Sequence, residues 1–564
     1  MEERQRAREW LDVDPDPETR EELQDLLDRD DDTALRERFD GRLAFGTAGL
    51  RGELGAGPTR MNRVVVRQTT AGLAARLAQD APPGGTIVVV GRDARHKSDV
   101  FARDVVAVLA EAGFDVRFFA EPVPTPLLAY AVRLLGAGAG VQITASHNPA
   151  PDNGYKVYWR VGAQIVPPLD AEIAAAIAAT ATPVELSDDA GRALPEELFD
   201  AYDAAVLRLA LHPEHRDLSV VYTPLHGVAG PQAIAVLRRA GFDRVACVEE
   251  QFAPDPDFPT VTFPNPEEPG ALDLAIALAQ EGDDDLVIAN DPDGDRVAAA
   301  VPDRGAWRVL TGDELGCLLA DYLLTELPGG PERMVATTVV SSQQLARIAA
   351  HHGVAFTVTL TGLKWLAQAA AQAEAEGRRM VLAYEEALGI MIGDAVRDKD
   401  GLSAALLIAD CAATWRARGQ SLPDRLDALA RRHGVHLTGQ RSIRYDPQEG
   451  LADRVLRQLR EDTPDQVAGV AVSAVADYEA GTRALSGGET EPLAVPATPL
   501  VALELTDGSR LQVRPSGTEP KLKCYFEVVE PVDGNGDVTA ARERARERLE
   551  TQIAAFLDLL GLAD

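Results

Sequence analysis

Asp291, Asp293 and Asp295 stand at alternating positions in DLVIANDPDGDRVAAA (285–300), directly after an apolar run that reads as a buried strand. Carboxylates converging over so short a stretch suit a hard divalent cation with oxygen ligands, and Gly294 permits a sharp turn between them. An EF-hand would need glycine sixth and glutamate twelfth. Those places hold Arg296 and Pro302, and a strand rather than a helix precedes, so a calcium-sensor loop is excluded.

A second apolar strand runs into Thr144-Ala145-Ser146-His147-Asn148-Pro149, within VQITASHNPAPDNGYK (141–156). Small polar residues there leave the Ser146 hydroxyl exposed at a turn. A serine alone is a poor nucleophile; it needs a base or an already attached phosphoryl group. His147 and Lys156 are the candidates for moving its proton.

Three further segments have weaker chemistry of their own. LAYEEALGIMIGD (382–394) places Glu385 and Glu386 at the mouth of a strand, where they could accept hydrogen bonds from sugar hydroxyls. Lys399, in RDKDG (397–401), could meet a phosphate. VRPSGTEPKLKCYFE (513–527) combines the bidentate cation Arg514 with the hydroxyls of Ser516 and Thr518 and the flexible backbone of Gly517, a set suited to an anion nest. AFGTAGLRGELGAGPTRMN (44–62) is glycine-rich and puts Arg51 in a loop. It is no G-x-x-x-x-G-K-[ST] loop, and no G-x-G-x-x-G follows a strand, so dinucleotide binding is unsupported.

These loops need strands to hold them. TIVVVGRD (86–93), a helix VFARDVVAVLAEAG (100–113) and FDVRFF (114–119) form a unit that recurs twice. The recurrences are LSVVYTPL, PQAIAVLRRAG and FDRVACVEE (218–250), then RMVATTVV, SQQLARIAAHHG and VAFTVTL (333–360). In each the helix stops at a glycine (Gly113, Gly241, Gly353), as a C-cap should. Short apolar strands alternating with amphipathic helices imply mainly parallel sheets, with ligands beyond the strands' carboxyl ends. The expected fold is therefore α/β: three successive mixed α/β domains and a smaller C-terminal α+β domain. The last carries strand pairs around 501–514 and 523–530, then a helix over 539–560. Acidic helices over 1–40 form an extension, and the domains are expected at 41–205, 206–312, 313–435 and 436–564.

Composition sets outer limits. The chain has 564 residues, 46% hydrophobic and 26% charged, so core size is no constraint. A formal net charge of −33 argues against nucleic acid or an anionic membrane as the main partner. No stretch approaches the ~18 apolar residues of a membrane helix. The charged N-terminus lacks the apolar segment of a secretory signal. Cys247, Cys317, Cys411 and Cys524 lie far apart and read as reduced thiols of a cytoplasmic protein. Only six basic residues are lysines (Lys97, Lys156, Lys364, Lys399, Lys521 and Lys523), and most fall within or beside the segments above. That predicts a local cationic site inside an anionic molecule.

Taken together and in order, FGTAGLRG, TASHNP, DPDGDR, EEALG and RPSGTEPK resemble the α-D-phosphohexomutase superfamily, the phosphoglucomutase/phosphomannomutase group, over about residues 40–530. FGTAGLRG and EEALG make the chain most similar to its phosphopentomutase-like and glucose-1,6-bisphosphate-forming branch. The resemblance implies four domains around one cleft. It also implies transfer of a phosphoryl group between the 1- and 6-positions of a hexose, glucose or mannose, through a phosphoserine and a bisphosphate intermediate. By that resemblance Ser146 carries the phosphoryl group and, with Asp291, Asp293 and Asp295, binds one Mg²⁺. Arg51 and Lys156 assist proton transfer and stabilise charge, with His147 beside them, and Arg296 supports the metal loop or substrate. Glu385 reads sugar hydroxyls, Lys399 meets phosphate, and Arg514, Ser516, Gly517 and Thr518 hold the phosphate that does not react. Thr361-Gly362-Leu363-Lys364 matches the family's third-domain loop loosely.

Glucose 1,6-bisphosphate is the implied activator, sugar phosphates are the implied partners, and the chain is expected to be a monomer or homodimer. Many hexose-specific members carry serine where this chain has Ala387, one hydroxyl contact fewer. The rival readings are a phosphopentomutase acting on ribose or deoxyribose phosphates, and a phosphosugar phosphatase with an aspartate nucleophile in the DPDGD loop. A non-catalytic phosphosugar-binding relative would have lost the serine or the metal loop, and this chain keeps both.

Overall fold

The computed structural model of the chain describes residues 2–82, 84–181, 186, 190–446, 450–516, 521–532 and 536–562. It divides into two compact units, Met1–Leu310 with Ala387–Arg418, and Thr311–Glu386 with Gly419–Asp564.

The first unit holds two mixed sheets. In one, Leu50–Glu53, Asp152–Trp159, Ala139–Ile143, Ile87–Arg92, Asp115–Phe118 and Arg192–Ala193 lie in that spatial order. Ile87–Arg92 runs parallel to both its neighbours, whereas Asp152–Trp159 returns antiparallel to Ala139–Ile143 and pairs with Leu50–Glu53. The β-branched run IVVV suits a pleat buried on both faces. Val88 and Val90 point into a core with Val66, Leu73, Phe101 and Tyr155. The other sheet orders Ala306–Val309, Val297–Asp303, Leu286–Asn290, Val220–Thr223 and Val245–Cys247, with the last three parallel. Its central strand Leu286–Asn290 is again flanked by an antiparallel return, Val297–Asp303.

The helix Gly401–Ala417 also belongs to this unit and packs on Leu286–Asn290 and on helix Gly230–Arg239. All its residues from Gly401 to Trp415 are buried, which explains why GLSAALLIADCAATW has no polar stripe. Ahead of it, Asp400 caps the helix by accepting from the Leu402 and Ser403 amides at 3.0 and 3.1 Å. The cap fixes the RDKDG segment.

Residues 2–39 form the expected helices, Glu2–Val13, Pro17–Asp28 and Asp32–Phe39. They share a small core of Ala7, Leu23, Leu35 and Phe39 with Ala56 of the glycine-rich loop. Glu22 ties the two together, accepting from Arg38 at 2.7 Å and from the Ala56 amide at 2.9 Å.

In the second unit, Ala355–Thr359, Arg333–Thr338 and Arg379–Glu385 are parallel neighbours. An antiparallel sheet follows, ordered Val435–Arg444, Lys521–Glu530, Arg510–Pro515, Val501–Leu505, Val470–Asp477, Thr482–Leu485 and Thr490–Pro492. Helices Leu451–Glu461 and Val538–Leu559 close its core around Val455, Leu511, Val513, Phe526 and Phe556. The sheet is larger than the two strand pairs expected. The exposed tail of Val435–Arg444 and the hairpin strands after Val470–Asp477 carry no continuous apolar run. Gly113, Gly241 and Gly353 adopt φ of 86°, 96° and 63°, the left-handed cap that the sequence predicted for all three helices.

Asp313, in the first turn of helix Gly312–Glu326, is buried and accepts from the Ser342 amide at 2.7 Å and the Tyr384 hydroxyl at 3.0 Å. Burial pushes its carboxyl up to about 7. A raised folded value means that the native state holds a proton the unfolded chain has released. Stability should therefore fall as pH rises from about 4 to 7, by roughly 4 kcal/mol for this group alone. Asp313→Asn keeps the accepting oxygen and should remove that slope in denaturation midpoints compared across pH 4–8. Parallel pH profiles for the two proteins would refute the assignment.

Candidate active site

In the first unit two hairpin tops meet. Ala139–Ile143 ends in the Ser146 loop and returns as Asp152–Trp159, bringing Lys156 opposite Gln142. Leu286–Asn290 ends in the aspartate loop and returns as Val297–Asp303. Both loops thus lie beyond the carboxyl end of a central parallel strand, where an α/β sheet presents its ligand sites.

Ser146 is buried and its Oγ donates to Asp291 Oδ2 at 2.8 Å. Nδ1 of His147 lies 3.2 Å from Ser146 Oγ. Ser146 has φ 54°, a left-handed conformation that a side chain adopts at a cost and that clusters at functional turns. Two contacts impose it. The Ser146 amide donates to Thr144 Oγ1 at 2.8 Å, and Arg95 donates to the Ser146 carbonyl at 2.7 Å.

Arg95 also donates to the carbonyls of Pro149 and Asp152 at 2.9 and 3.1 Å, and to that of Asn148. It is held in turn by the buried Asp93, 3.4 Å away. Nothing in the sequence separates Arg95 from the other arginines, and its role in shaping the serine loop emerges only in three dimensions. Asn148 is a second such residue: its Oδ1 accepts from Arg51 at 3.0 Å. Arg51 is aligned with Gly154 across the strand pair, and a Cβ on Gly154 would stand 2.5 Å from the Thr144 carbonyl and 2.8 Å from that of Leu50. Close strand approach at the base of the serine loop therefore requires glycine there.

The aspartate loop is fully buried at Asp291, Asp293 and Asp295. Gly294, at φ 69°, makes the turn, and its amide donates to the Asp291 carbonyl at 2.8 Å. The Arg296 amide donates to Asp291 Oδ1 at 2.9 Å, while the Arg296 side chain reaches the Ala387 carbonyl at 2.9 Å and Glu267 at 3.3 Å. Lys156 Nζ donates to Asp293 Oδ2 at 2.6 Å and to Asp295 Oδ2 at 2.8 Å, and Lys399 Nζ lies 3.1 Å from Asp295 Oδ2. Thr125, which the sequence did not single out, donates to Asp293 Oδ2 at 2.6 Å. A Cβ on Gly401 would meet the Arg296 carbonyl at 2.4 Å and that of Gly294 at 2.7 Å. The buried helix and the aspartate loop therefore touch backbone to backbone.

The electrostatics follow from this packing. Burial, then the neighbouring carboxylates of Asp293 and Asp295, push Asp291 well above its ordinary value. Burial acts the same way on the other two, but Lys156 holds Asp293 below the usual range, and Lys156 with Lys399 does so for Asp295. Burial, then the charges of Arg296 and Arg51, keep His147 well below its ordinary value, so its imidazole is neutral.

The donor set fits a hard cation. One ligand oxygen from each aspartate can be chosen so that all three lie within 4.8 Å of one another. Among the described residues, Oδ1 of Asp293 and Oδ1 of Asp295 are buried without a hydrogen-bond partner, which is costly unless something positive meets them. The sequence therefore placed Ser146, His147, Arg51, Lys156, Asp291, Asp293, Asp295, Arg296 and Lys399 on two loops and their supports, and the fold brings those side chains together. Of the remaining lysines, Lys97 binds Asp16 and Glu18 of the helical extension at 3.1 and 2.8 Å.

The second unit carries the other candidates. Glu385 ends the strand Arg379–Glu385. Glu386 Oε2 accepts from Ser341 Oγ at 3.0 Å and from Thr338 Oγ1 at 3.2 Å. Thr361 and Gly362 follow strand Ala355–Thr359, Gly362 with φ 106° as the cap of helix Leu363–Ala375. Arg514 lies across from Lys523 in the strand pair and donates to the Tyr525 hydroxyl at 3.4 Å. The Ser516 amide donates to the Lys521 carbonyl at 2.8 Å. Gly517 and Thr518 lie outside the described residues.

Mixed α/β domains bearing a serine set on a buried aspartate triad define the class, an intramolecular phosphotransferase that isomerises phosphosugars. The chain belongs to the phosphoglucomutase/phosphomannomutase family. Its alpha/beta/alpha domains I, II and III match residues 42–183, 202–305 and 311–433, and its C-terminal domain matches 490–541.

Among relatives, the "Probable phosphoribomutase" of Schizosaccharomyces pombe is 40% identical over 546 residues, 92% of each chain. The phosphoglucomutase of Staphylococcus haemolyticus is 36% identical over 510 residues, 88% of this chain and 92% of that one. In fold, the chain is similar to the open form of the exocytosis-sensitive phosphoprotein pp63/parafusin, a phosphoglucomutase from Paramecium. The TM-score is 0.68 at 18% identity, covering 93% of this chain and 96% of that one. No described helix is long and apolar enough to cross a membrane.

Proposed function

We propose that the protein moves a phosphoryl group between the 1- and 6-hydroxyls of a hexose, glucose foremost and mannose second, with Ser146 as the relay and the hexose 1,6-bisphosphate as the intermediate. The observation that carries this reading is the Ser146 Oγ, 2.8 Å from Asp291 at the head of a triad with two unpartnered carboxylate oxygens. Asp291, Asp293 and Asp295, with the phosphorylated serine, would hold one Mg²⁺, which supplies positive charge to the phosphoryl group in transit.

The chain's own groups do the rest. In the first half-reaction the sugar hydroxyl oxygen bonds to phosphorus as the Ser146 Oγ–P bond breaks. The hydroxyl proton passes from the sugar oxygen to the freed Ser146 Oγ, with Lys156 and Arg51 stabilising the charge during the transfer and neutral His147 beside the serine. The bisphosphate then turns over and returns its other phosphoryl group to Ser146 by the reverse step. Arg51 also keeps a buried Nε without a partner among the described residues, suited to a phosphoryl oxygen. Arg296 steadies the aspartate loop, and Lys399 balances Asp295. To the second unit we assign sugar-hydroxyl reading by Glu385, substrate contact by Thr361 and Gly362, and retention of the unreactive phosphate by Arg514, Ser516, Gly517 and Thr518.

A pentose 1- to 5-phosphate reaction is the second reading. It is favoured by Ala387, which lacks the hydroxyl that many hexose-specific members carry, and by the name of the 40%-identical relative. Side-by-side turnover of glucose 1-phosphate, mannose 1-phosphate and ribose 1-phosphate, each with and without glucose 1,6-bisphosphate, tests both. A kcat/KM highest for ribose 1-phosphate would replace the hexose assignment. Net release of inorganic phosphate in place of isomer would replace the mutase reading with a phosphatase.

A further inference from the structure

The segment between helix Glu197–Leu207 and strand Val220–Thr223 contains LHPEHR (211–216), away from the residues assigned above. His212 Nδ1 lies 3.2 Å from Glu214 Oε1, and His215 Nε2 lies 3.8 Å from the same oxygen. One ligand atom from each residue can be chosen so that all three fall within 4.8 Å of one another. Two imidazoles and a carboxylate are the donors that zinc prefers. Ligands about 2.0–2.1 Å from a tetrahedral zinc stand roughly 3.3 Å apart, near the two separations from Glu214, and the set as a whole has to contract from within 4.8 Å by side-chain rotation.

The backbone beneath this triad is held on several sides. Arg216 donates to the His212 carbonyl at 2.7 Å and to the His215 carbonyl at 2.6 Å, so one guanidinium fixes both histidine backbones. It donates to the Ala240 carbonyl at 2.7 Å, lies over the Phe242 ring at 4.7 Å, and pairs with the buried Asp410 at 3.0 Å. Asp410 also accepts from the Leu211 amide at 3.0 Å. Supporting interactions of this kind, which orient the residues that ligate, raise metal affinity. The three side chains meanwhile remain partly open to solvent, Glu214 most of all.

We propose that His212, Glu214 and His215 form a surface site for Zn²⁺, with water completing the coordination. The bound ion closes the turn at residues 212–215 above its Arg216–Asp410 support.

The test is Zn²⁺ titration of the metal-stripped full chain in saturating Mg²⁺, comparing the unaltered protein with His212→Ala/His215→Ala and with Glu214→Ala. Any zinc taken up by the aspartate loop appears equally in all three and cancels. The expected result is one equivalent of Zn²⁺ per chain that the double variant lacks and that Glu214→Ala binds at least about tenfold more weakly. The zinc-dependent rise in melting temperature should be largest in the unaltered protein, smaller in Glu214→Ala and smallest in the double variant. Glu214 is exposed and makes no core contact, so its variant reports even if the double variant folds poorly. Equal stoichiometry and affinity in the unaltered protein and Glu214→Ala, or an unchanged zinc response of melting in the double variant, overturns the site.

Discussion

Ser146→Ala should lower kcat by about 10⁴- to 10⁶-fold, the scale on which enzymes respond to loss of a covalent nucleophile. It should also abolish phosphate on the peptide spanning 141–156, read by mass spectrometry after incubation with glucose 1,6-bisphosphate. The loss is large because Oγ is the atom that forms and breaks the bond to phosphorus, and no neighbour can replace it. His147 is neutral and 3.2 Å away, but burial and the charges of Arg296 and Arg51 hold it well below its ordinary value and so make it a weak base and nucleophile. The backbone should be nearly unaffected, because the left-handed conformation at Ser146 is imposed by Arg95 and Thr144, and the cost to stability is that of the lost hydrogen bond to the buried Asp291, about 1–3 kcal/mol. Alanine bears a Cβ as serine does, so the strain is unchanged. Activity within tenfold of the unaltered enzyme would falsify the serine relay, and retained phosphate elsewhere on the chain would relocate it.

Asp295→Asn should damage both stability and catalysis. Its Oδ2 is the one atom that meets both Lys156, at 2.8 Å, and Lys399, at 3.1 Å, in a pocket where Lys156 and Lys399 have little access to water. Removing one partner of a buried ion pair leaves a charge uncompensated and typically costs about 3–5 kcal/mol. Lys156 retains Asp293 at 2.6 Å and Lys399 retains Asp398 at 3.9 Å, but both ammonium groups lose the charge of Asp295. A Lys399→Met/Asp295→Asn pair should recover much of the lost stability while remaining inactive. Activity should fall by roughly 10³-fold or more, since the triad loses a formal charge. Urea midpoints and Mg²⁺ titrations of the single and double variants separate the two effects. A single variant as stable as the parent would mean that Asp295 does not balance these ammonium groups.

Much of the site was legible before any coordinates. The alternation of Asp291, Asp293 and Asp295 after an apolar run, the small polar turn at Ser146, and the scarcity of lysine all have local causes that sequence records directly. The helix caps at Gly113, Gly241 and Gly353 were equally readable, because a left-handed cap is a single-residue requirement. Arg95, Asn148 and Thr125 were not. Each acts through partners far along the chain, Thr125 on Asp293 and Arg95 on four carbonyls of the serine loop. An arginine among fifty leaves no local signature of such a role. The C-terminal sheet was underestimated for a related reason. Its outer strands alternate too weakly in polarity to be distinguished from loops, and they are strands because a neighbouring edge accepts their hydrogen bonds.

The sequence by itself determined the chemical inventory, the order of the loops and the elements that carry them, since residue type, spacing and local periodicity are properties of the chain. Tertiary structure alone decided that Ala387–Arg418 packs with the first unit, bringing Lys399 to Asp295. It alone decided that Ser146 is held in a left-handed turn and that two carboxylate oxygens find no hydrogen-bond partner among the described residues. Those outcomes depend on which buried charges find one another across more than a hundred residues, and burial makes such pairings strong only once the surrounding core has excluded water.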